Sequence, residues 1–447
     1  MSTATDQAER RRLATLSREA LSSWQLGRLN QLLKAVRADN AFYSSKLAAT
    51  PPQLATIEQL RQLPFTTKQE LLPTSANDLS SRNRTYPLES YTRFHQTSGT
   101  SGQPMPVLDT AEDWHWWLRC WQHVLDAAEI TTADRALLAF SFGPFIGFWS
   151  AFDALTARGV LAMPAGGMRS AARVEMIRRM KATVLLCTPS YAMHLAEVAA
   201  GQGTPLASSS VSRVIVAGEP GGSVPSTRHR IEQAWGALVI DHSGATEVGA
   251  WGYGDPNGAG LRVIESEFLA EFLDLETEEP LDPTDQASNG RLSHLVLTTL
   301  GRFGAPMIRY RTGDLVRPRW DMPGDVRFVH LEGGVLGRAD DMMIIRGVNI
   351  FPSSVEQILH SFPEVVEFRL TARKRGEMDE LMVEVEDQQQ QPARIADELS
   401  LRLGLKVDVR LAPAMSLPRH ESKAKRFVDL RNEPAQKSTG SGGDDRE

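Results

Sequence analysis

Residues 95–107 read HQTSGTSGQPMPV, and the six residues from 97 to 102 combine hydroxyl side chains with two glycines. Glycine lets backbone N–H groups close around an anion, and the hydroxyls add donors. The stretch lacks the Gly-Lys-Ser/Thr ending of a Walker phosphate loop. Such a hexamer is also typical of a solvated turn, and only the motifs after it favour a phosphate site. The predicted phosphate-binding residues are Thr97, Ser98, Gly99, Thr100, Ser101 and Gly102.

Five further motifs follow this loop in order along the chain. They are AGEP at 217–220, DHSGATE at 241–247, YRTGD at 310–314, GRADD at 337–341 and SKAKR at 422–426. Each motif alone is more often a surface charge or cap, so the ordered series carries the signal. With the hydroxyl-rich loop, the series resembles the adenylate-forming superfamily of acyl-CoA synthetases, adenylation domains and luciferases.

Three longer segments resemble one branch of that superfamily, the phenylacetate-CoA ligase type. They are LPFTTKQEL at 63–71, IRYRTGDL at 308–315 and GRADDMMIIRGVNIFPSSVE at 337–356. The resemblance extends from about residue 28 to about residue 430. It implies an ATP-dependent enzyme that joins a carboxylic acid to a thiol, an acid-thiol ligase of the AMP-forming kind.

Short apolar runs alternate with helical patterns in the first half of the chain. The runs are RALLAFSF at 135–142, ATVLLCT at 182–188, SRVIVAG at 212–218 and ALVID at 237–241. This alternation predicts an α/β domain with largely buried parallel strands flanked by helices. AGEP and DHSGATE follow two of these runs directly, and open α/β sheets present ligand-binding loops there.

At 447 residues the chain exceeds what one hydrophobic core usually supports, so a second domain is expected. We predict an N-terminal AMP-binding and acid-binding domain over 1–337 and a small α+β lid domain over 338–430. The resemblance implies that this lid is mobile. Residues 431–447, rich in Gly, Ser and charge, are predicted to be a disordered tail.

Two helices are predicted from apolar spacing. Residues 23–43 carry leucines at helical intervals, and Trp114, Trp117 and Trp121 recur at i, i+3 and i+7. Both patterns indicate faces that pack in the core rather than ligand sites.

Composition limits the ligands and the compartment. The formal net charge of −6 argues against nucleic acid as a partner. The start of the chain lacks a secretory pattern, and no run approaches the length of a bilayer span, so we expect a cytoplasmic protein without membrane contact. The sequence does not fix the oligomeric state, and a homodimer is compatible with it.

Cysteine usage bears on zinc. Cys120 and Cys187 are the two cysteines of the chain, and we expect both to be buried free thiols. Many relatives in the branch carry a Cys/His cluster suited to zinc between the Thr-Glu motif and the last Gly-Arg motif. In this chain that region, residues 248–336, has no cysteine, and its histidines are His294 and His330. A structural zinc ion needs about four Cys or His ligands, so none is predicted.

The resemblance implies two steps: the acid attacks the α-phosphorus of ATP to give acyl-AMP, and coenzyme A then forms the thioester. Charge accumulates on phosphate oxygens in the first step, so donors, a cation and a metal are needed. Thr246 matches the family's α-phosphate contact, and Glu247 matches its Mg²⁺ ligand. Asp314 matches the ribose contact, with Arg338 as a second one.

Adenine is expected between two segments. Gly218, Glu219 and Pro220 form one side, and Asp241, His242 and Ser243 form the other. Ser243 stands where the family usually has an aromatic residue that stacks on adenine, and the neighbouring His242 is one candidate to replace it.

The catalytic cation is predicted near the carboxy end. Lys423 matches a lysine that relatives carry after Glu-Gly, although Ser422 replaces that glycine, and Lys425 is the alternative. An ammonium can contact the carboxylate and the α-phosphate together. The resemblance also assigns Asp340 as the hinge of the lid and Gly347 as a lining residue of the coenzyme A tunnel.

The acid is expected beside an aromatic segment, FSFGPFIGFWSAF at 140–152. Phe142, Phe145 and Ile146 are predicted to line a flat apolar slot closed by the small residues Gly218, Gly244 and Ala245. An aryl or arylacetic acid fits such a slot best.

Two other functions stay open from the sequence. A stand-alone adenylation enzyme would share the first step and load a carrier protein instead of coenzyme A. A non-catalytic nucleotide-binding or regulatory relative is left open by three departures from the family pattern: Gln103 in place of a lysine, Ser243 and Ser422.

Overall fold

The structure is a computed structural model. It describes residues 3–75, 78–97, 104–140, 143–256, 258, 260–341, 343–345, 348–375, 378–418 and 426–431. The chain divides into two compact units, Met1–Asp341 and Met342–Glu447. The functional boundary predicted after residue 337 stays a prediction.

The helices of the described residues are α1 Thr3–Ala14, α2 Arg18–Asp39, α3 Ala41–Lys46, α4 Lys68–Leu71, α5 Ala111–Ala127, α6 Ile146–Arg158, α7 Ser170–Arg179, α8 Pro189–Gly201, α9 Pro225–Trp235, α10 Pro352–Leu359 and α11 Pro392–Leu403. In the part of the chain that the structure describes, no helix combines the length and apolarity that crossing a membrane requires.

The strands are β1 Tyr91–Gln96, β2 Pro106–Thr110, β3 Arg135–Leu138, β4 Leu161–Pro164, β5 Val184–Cys187, β6 Arg213–Ala217, β7 Leu238–Ala245, β8 Gly249–Gly254, β9 Gly260–Val263, β10 Phe268–Asp274, β11 Ser293–Thr299, β12 Tyr310–Val316, β13 Pro318–Arg319, β14 His330–Glu332, β15 Gly337–Arg338, β16 Met343–Ile345, β17 Val348–Ile350, β18 Val365–Arg375, β19 Met378–Asp387, β20 Asp408–Leu411 and β21 Phe427–Asp429.

A nine-stranded mixed sheet organises the large unit, in the order β13-β14-β9-β8-β7-β6-β5-β3-β4. The run from β7 to β4 is parallel, as the alternation of apolar runs and helices predicts. Strand β5 is buried along its whole length, which explains why its sequence is continuously apolar. The predicted α/β class is confirmed.

Strand β7 extends further than the apolar run at 237–241 predicts. It continues to Ala245 because β8 pairs with it antiparallel, joining Ser243 to Gly252 and Ala245 to Gly249. Most of the DHSGATE motif therefore lies in a strand rather than in a loop, and only Thr246 and Glu247 occupy the turn into β8.

Two smaller sheets carry the remaining motifs of this unit. Strands β10, β11, β12 and β15 form a four-stranded antiparallel sheet in which YRTGD begins β12. Strands β1 and β2 form a hairpin on either side of the hydroxyl-rich loop. The motifs thus lie at the ends of paired strands.

The first long helix begins earlier than predicted, at Arg18 rather than at residue 23. The hydroxyl of Ser17 accepts a hydrogen bond from the N–H of Ala20 and caps the helix there. The helix ends at Asp39, and Asn40 caps the short helix α3 that follows. The chain from 18 to 46 is therefore two helices.

The predicted burial of the tryptophan face and of the two cysteines is confirmed. Trp114, Trp117 and Trp121 all lie buried on α5 in the largest apolar cluster of the unit. Cys120 and Cys187 are buried free thiols. Burial raises the pKa of both thiols above the ordinary range, so neither is a reactive thiolate.

The small unit has its own apolar core between a sheet and two helices. Its sheet has the order β20-β19-β18-β21, with β18 and β19 antiparallel and the two outer strands parallel to their neighbours. Helices α10 and α11 both contribute to that core, which includes Val355 and Ile395. The predicted small α+β domain is confirmed.

Leu32 tests the packing of α2. Its side chain is fully buried, so Leu32→Ala is expected to lower the free energy of unfolding by about 2 to 5 kcal/mol through lost contacts and the cavity left behind. Urea denaturation measures this change. Lys34→Ala, at an exposed position of the same helix, is the control and should change stability by less than about 0.5 kcal/mol. Equal losses in the two variants would contradict the packing.

Candidate active site

The base of the hydroxyl-rich loop is closed by Thr97. Its N–H donates to the carbonyl of Met105 at 3.1 Å, and its hydroxyl accepts from the N–H of Met105 at 2.9 Å. Thr97 is buried, so in this structure its side chain holds the two ends of the loop together. The other predicted phosphate contacts, Ser98, Gly99, Thr100, Ser101 and Gly102, lie outside the described residues.

The carboxyl ends of β6 and β7 bring two motifs to one edge of the sheet. The parallel register pairs Ala217 with His242, so Gly218 and Ser243 follow at the same edge. Gly218 has a φ of +91°, a conformation that a side chain would strain, and it turns the chain away from β6. The two predicted adenine-binding segments therefore lie side by side.

Glu219 is anchored to the start of helix α8. Its Oε1 accepts a hydrogen bond from the N–H of Ser190 at 2.7 Å, one residue after the proline that begins the helix. A carboxylate at a helix N-terminus is stabilised by the unpaired N–H groups there. Glu219 therefore fixes the segment that Gly218 and the exposed Pro220 belong to.

Asp241 is a buried carboxyl on β7. Its Oδ2 accepts from the Ser223 hydroxyl at 2.5 Å, and its Oδ1 accepts from the N–H of His242 at 2.9 Å. Burial raises the pKa of Asp241 to about 6, against these hydrogen bonds, which lower it. The described residues offer it no salt bridge.

His242 packs into the core beneath the sheet. Its ring lies 4.2 Å from that of Trp121, and its Nδ1 is 2.8 Å from the carbonyl oxygen of Gly252. Burial lowers the pKa of His242 to about 4, so the imidazole is neutral near pH 7. Neighbouring strand residues point to opposite faces, so this ring is turned away from the face of Asp241 and Ser243. An adenine contact by His242 stays a prediction.

Glu247 is held from two directions. The phenol of Tyr310 donates to its Oε1 at 3.0 Å, and Nη1 of Arg302 donates to its backbone carbonyl at 2.6 Å. Burial, followed by the nearby Glu247 carboxylate, raises the pKa of Tyr310 well above its ordinary range. Among the described residues no cation forms a salt bridge with Glu247. Its carboxylate is therefore oriented but not neutralised, and Thr246 precedes it in the same turn.

Asp314 and Arg338 face each other across β12 and β15. Their backbones are paired, and Arg338 Nη1 lies 3.6 Å from Asp314 Oδ1. The same guanidinium donates to the Thr312 carbonyl at 3.1 Å and, through Nε, to Asp340 at 3.1 Å. Burial raises the pKa of Asp314 to about 6, and the charge of Glu247 adds to this effect while Arg338 opposes it. The predicted ribose and metal residues thus lie within one electrostatic neighbourhood.

The LPFT segment at 63–66 braces β12, a role that the sequence did not reveal. Thr66 pairs with the start of β12: its N–H donates to the carbonyl of Arg309, just before the strand, and its carbonyl accepts from the N–H of Arg311, both at 2.9 Å. The guanidinium carbons of these two arginines lie 3.9 and 4.4 Å from the ring centroid of Phe65. These contacts fix the strand on which Tyr310 and Asp314 are carried.

The predicted acid-binding segment meets the hairpin. The N–H of Gln96 donates to the carbonyl of Pro144 at 2.8 Å, which brings this segment beside the hydroxyl-rich loop. Phe145 is 38% exposed, whereas Ile146 is 4% exposed and belongs to the large core. Ile146 could therefore contact a substrate only if the substrate reached into the core, and this contact stays a prediction.

The remaining predicted lining residues are near the turn of β7. Gly244 is exposed and Ala245 is half-buried at the end of that strand. Phe142, the predicted coenzyme A tunnel residue Gly347 and the catalytic candidate Lys423 lie outside the described residues, as do Gln103, Ser422 and Lys425.

Two functional candidates were missed by sequence reasoning. Tyr310 stands in a quoted motif, but no spacing predicts that its phenol meets Glu247. Arg302 lies in no motif, and its partners Asp109 and Glu247 are far from it in sequence. The available signal is weak: an arginine in an otherwise apolar and glycine-rich stretch, LGRFGAPM at 300–307.

Comparison with known proteins identifies the family. Residues 20–266 match the AMP-binding enzyme family, and residues 347–431 match the AMP-binding enzyme C-terminal domain. The first match covers more than half of the chain, and the chain therefore belongs to the AMP-binding enzyme family, as its motifs predict. The phenylacetate-coenzyme A ligase of Escherichia coli K12 is 31% identical to it over an alignment of 439 positions, and the alignment covers 94% of this chain and 97% of that protein.

Solved structures agree in fold. The 2-hydroxyisobutyryl-CoA ligase in its postadenylation state, bound to 2-HIB-AMP, has a TM-score of 0.86 and 27% identity, covering 94% of this chain and 91% of that chain. An open conformation of that ligase with 2-HIB-AMP and CoA has a TM-score of 0.71 and 27% identity, covering 94% and 93%. The predicted adenylate-forming fold is confirmed.

Asp241 gives a pH-dependent test of the site's burial. Because its pKa rises to about 6 on folding, the folded protein holds this proton more tightly than the unfolded chain does. Below about pH 4 the carboxyl is protonated in both states, so this pKa shift does not lower the free energy of unfolding there. As the pH rises towards about 6, the ionised carboxylate destabilises the fold by an amount approaching roughly 3 kcal/mol.

Asp241→Asn is therefore expected to raise the free energy of unfolding at about pH 8 by about 1 to 3 kcal/mol and to flatten the loss between about pH 4 and about pH 6. Urea denaturation at a series of pH values measures both effects. Asp325→Asn, an exposed carboxyl of the same unit, is the control. A variant that tracks the wild type at every pH would refute the burial argument.

Proposed function

We propose that this chain is an ATP-dependent acid-CoA ligase. In the first step a carboxylate oxygen of the acid attacks the α-phosphorus of ATP, and pyrophosphate leaves. In the second step the thiol sulfur of coenzyme A attacks the acyl carbon, AMP leaves, and the thiol proton passes to a base or solvent. Two comparisons support this proposal: the phenylacetate-coenzyme A ligase relative and the neighbouring ligase bound to an acyl-AMP and CoA.

One observation carries the proposal most directly: Glu247, Tyr310, Asp314 and Arg338 form one coupled group although the first and last are far apart in sequence. Asp314 would accept hydrogen bonds from the ribose hydroxyls, with Arg338 beside it. Adenine would lie at the sheet edge where Gly218 and Ser243 meet, and Thr246 would contact the α-phosphate.

Glu247 fits the requirements of a magnesium ligand. It supplies a hard carboxylate oxygen, its orientation is set by the Tyr310 phenol, and among the described residues no salt bridge neutralises it. When bound with ATP, Mg²⁺ neutralises charge on the phosphate oxygens. Within the described residues no group of three or more His, Cys, Asp or Glu side chains is arranged to hold a metal ion, and the absence of zinc stays a prediction.

The remaining parts of the proposal rest on composition. The buried free thiols Cys120 and Cys187 fit a reducing compartment, which supports a cytoplasmic location. A net charge of −6 supports small-molecule partners rather than nucleic acid. A homodimer stays an expectation.

Two experiments identify the acid substrate and the thiol acceptor. We propose an aryl or arylacetic acid, because the segment after 140 is rich in aromatic rings and meets the hydroxyl-rich loop through Pro144. Isotope exchange between ATP and pyrophosphate, run with aryl, arylacetic and straight-chain acids, should be acid-dependent and fastest with the aromatic acids. No exchange with any acid would favour the non-catalytic alternative. Thioester on a carrier protein and none on coenzyme A would favour the adenylation alternative.

Lys423 tests how the two half-reactions are divided. We propose that the Lys423 ammonium contacts the acid carboxylate and the α-phosphate together, so its removal is expected to slow adenylate formation by about 100-fold or more, while thiolysis of supplied acyl-AMP stays close to the wild-type rate. The reason proposed is that the unit carrying Lys423 changes its orientation between the steps, so that the lysine serves only the first. Lys423→Ala is measured in pyrophosphate exchange and in single-turnover thiolysis.

Lys425→Ala is the matched control, since it removes the same charge two residues away. It should retain both half-reactions. Loss of adenylation in Lys425→Ala alone would transfer the role to that residue, and equal loss of both half-reactions in Lys423→Ala would contradict the division.

A further inference from the structure

Among the described residues, Arg302 is a fully buried cation that also contacts the proposed active site, through the backbone carbonyl of Glu247. Its side chain and that of Asp109 are both 0% exposed, and they form an ion pair with Nε–Oδ1 and Nη2–Oδ1 distances of 2.8 and 2.7 Å. The indole N–H of Trp117 also donates to Asp109 Oδ1, at 3.3 Å. A charge taken wholly out of water must be compensated by partners of this kind.

Three parts of the proposed nucleotide site meet at this guanidinium. Asp109 lies on β2, the second strand of the hairpin that Thr97 and Met105 close. The backbone carbonyl of Glu247, in the turn after β7, accepts from Arg302 Nη1. Arg302 itself lies in the connection that leads from β11 into β12, the strand of Tyr310 and Asp314. The planar guanidinium of Arg302 therefore sets the distance between the β1–β2 hairpin, the turn that carries Glu247 and strand β12, which carries Tyr310 and Asp314.

Lysine cannot reproduce this arrangement. Nε of the guanidinium donates to Asp109 Oδ1 and Nη1 donates to the Glu247 carbonyl, in a fixed planar geometry, while Nη2 lies 2.7 Å from the same Oδ1 without forming a hydrogen bond. A lysine would keep the charge and lose the fork, so that the Glu247 backbone would no longer be fixed against the hairpin. Arg302→Lys thus separates geometry from charge.

We infer that Arg302 is a positioning residue for nucleotide activation: through Asp109 and the Glu247 carbonyl it sets the placement of the proposed metal-binding carboxylate relative to the β1–β2 hairpin. This inference rests on the proposed function. The Arg302 side chain is 0% exposed, and its hydrogen-bond partners are Asp109 and the Glu247 carbonyl, so its effect on the metal would pass through Glu247.

Arg262 provides a matched control. It is also buried and ion-paired, with Nη2 3.1 Å from Asp255 Oδ2, and it donates to the carbonyl of Phe328 at 3.1 Å. Those partners include none of the proposed site residues. Arg262→Lys should therefore lose stability as Arg302→Lys does, without altering the site.

The test measures metal binding rather than turnover. Mn²⁺ replaces Mg²⁺ as the probe and is added with a non-hydrolysable ATP analogue. Electron paramagnetic resonance then measures the concentration of free Mn²⁺. Arg302→Lys is expected to weaken Mn²⁺ binding to the protein–nucleotide complex by about 10- to 100-fold, as loss of a group that orients a metal ligand does. Arg262→Lys should stay within about twofold of the wild type.

Equal Mn²⁺ affinity in Arg302→Lys and Arg262→Lys would overturn the inference and leave the proposed function intact. A wild-type protein that binds no Mn²⁺–nucleotide complex would overturn both. If Arg302→Lys does not fold, Asp109→Asn decides, because it keeps the arginine and weakens its anchor. That variant should weaken Mn²⁺ binding by about threefold, and an unchanged affinity would overturn the inference.

Discussion

The arrangement of the large unit depends on the buried ion pair between Asp109 and Arg302. Both side chains are wholly removed from water, and removing one partner of such a pair typically destabilises a protein by about 3 to 5 kcal/mol, because the other charge is left uncompensated. The pair joins a hairpin, a helix through Trp117 and the turn of Glu247. Elements distant in sequence are thereby held at fixed spacing around the place where we propose that the nucleotide binds.

The fold class was predictable because its signals are local. Buried parallel strands are continuously apolar, as β5 is, and helices of the same layer show helical spacing. The family was predictable because six motifs occur in order. The boundaries were less predictable: β7 extends to Ala245 through pairing with β8, and α2 begins at Arg18 through the cap at Ser17. Pairing partners and caps override the apolar pattern at the ends of elements.

The site was predictable only in part, because its geometry is made by contacts between distant segments. The motifs named Glu247 and Asp314, yet the Tyr310 phenol, the Arg302 fork and the brace from Phe65 to β12 follow from tertiary packing. His242 shows the opposite case: its place in a motif suggests a ligand contact, whereas its ring packs against Trp121. Spacing identifies which residues carry the chemistry, and packing determines where their side chains point.

A crystal structure of this protein with a non-hydrolysable ATP analogue tests the central claim most directly. The account requires the ribose within hydrogen-bonding distance of Asp314, the α-phosphate near Thr246, and adenine against Gly218 and Ser243. A nucleotide bound at another surface, with Asp314 and Glu247 in contact only with protein groups, would contradict it.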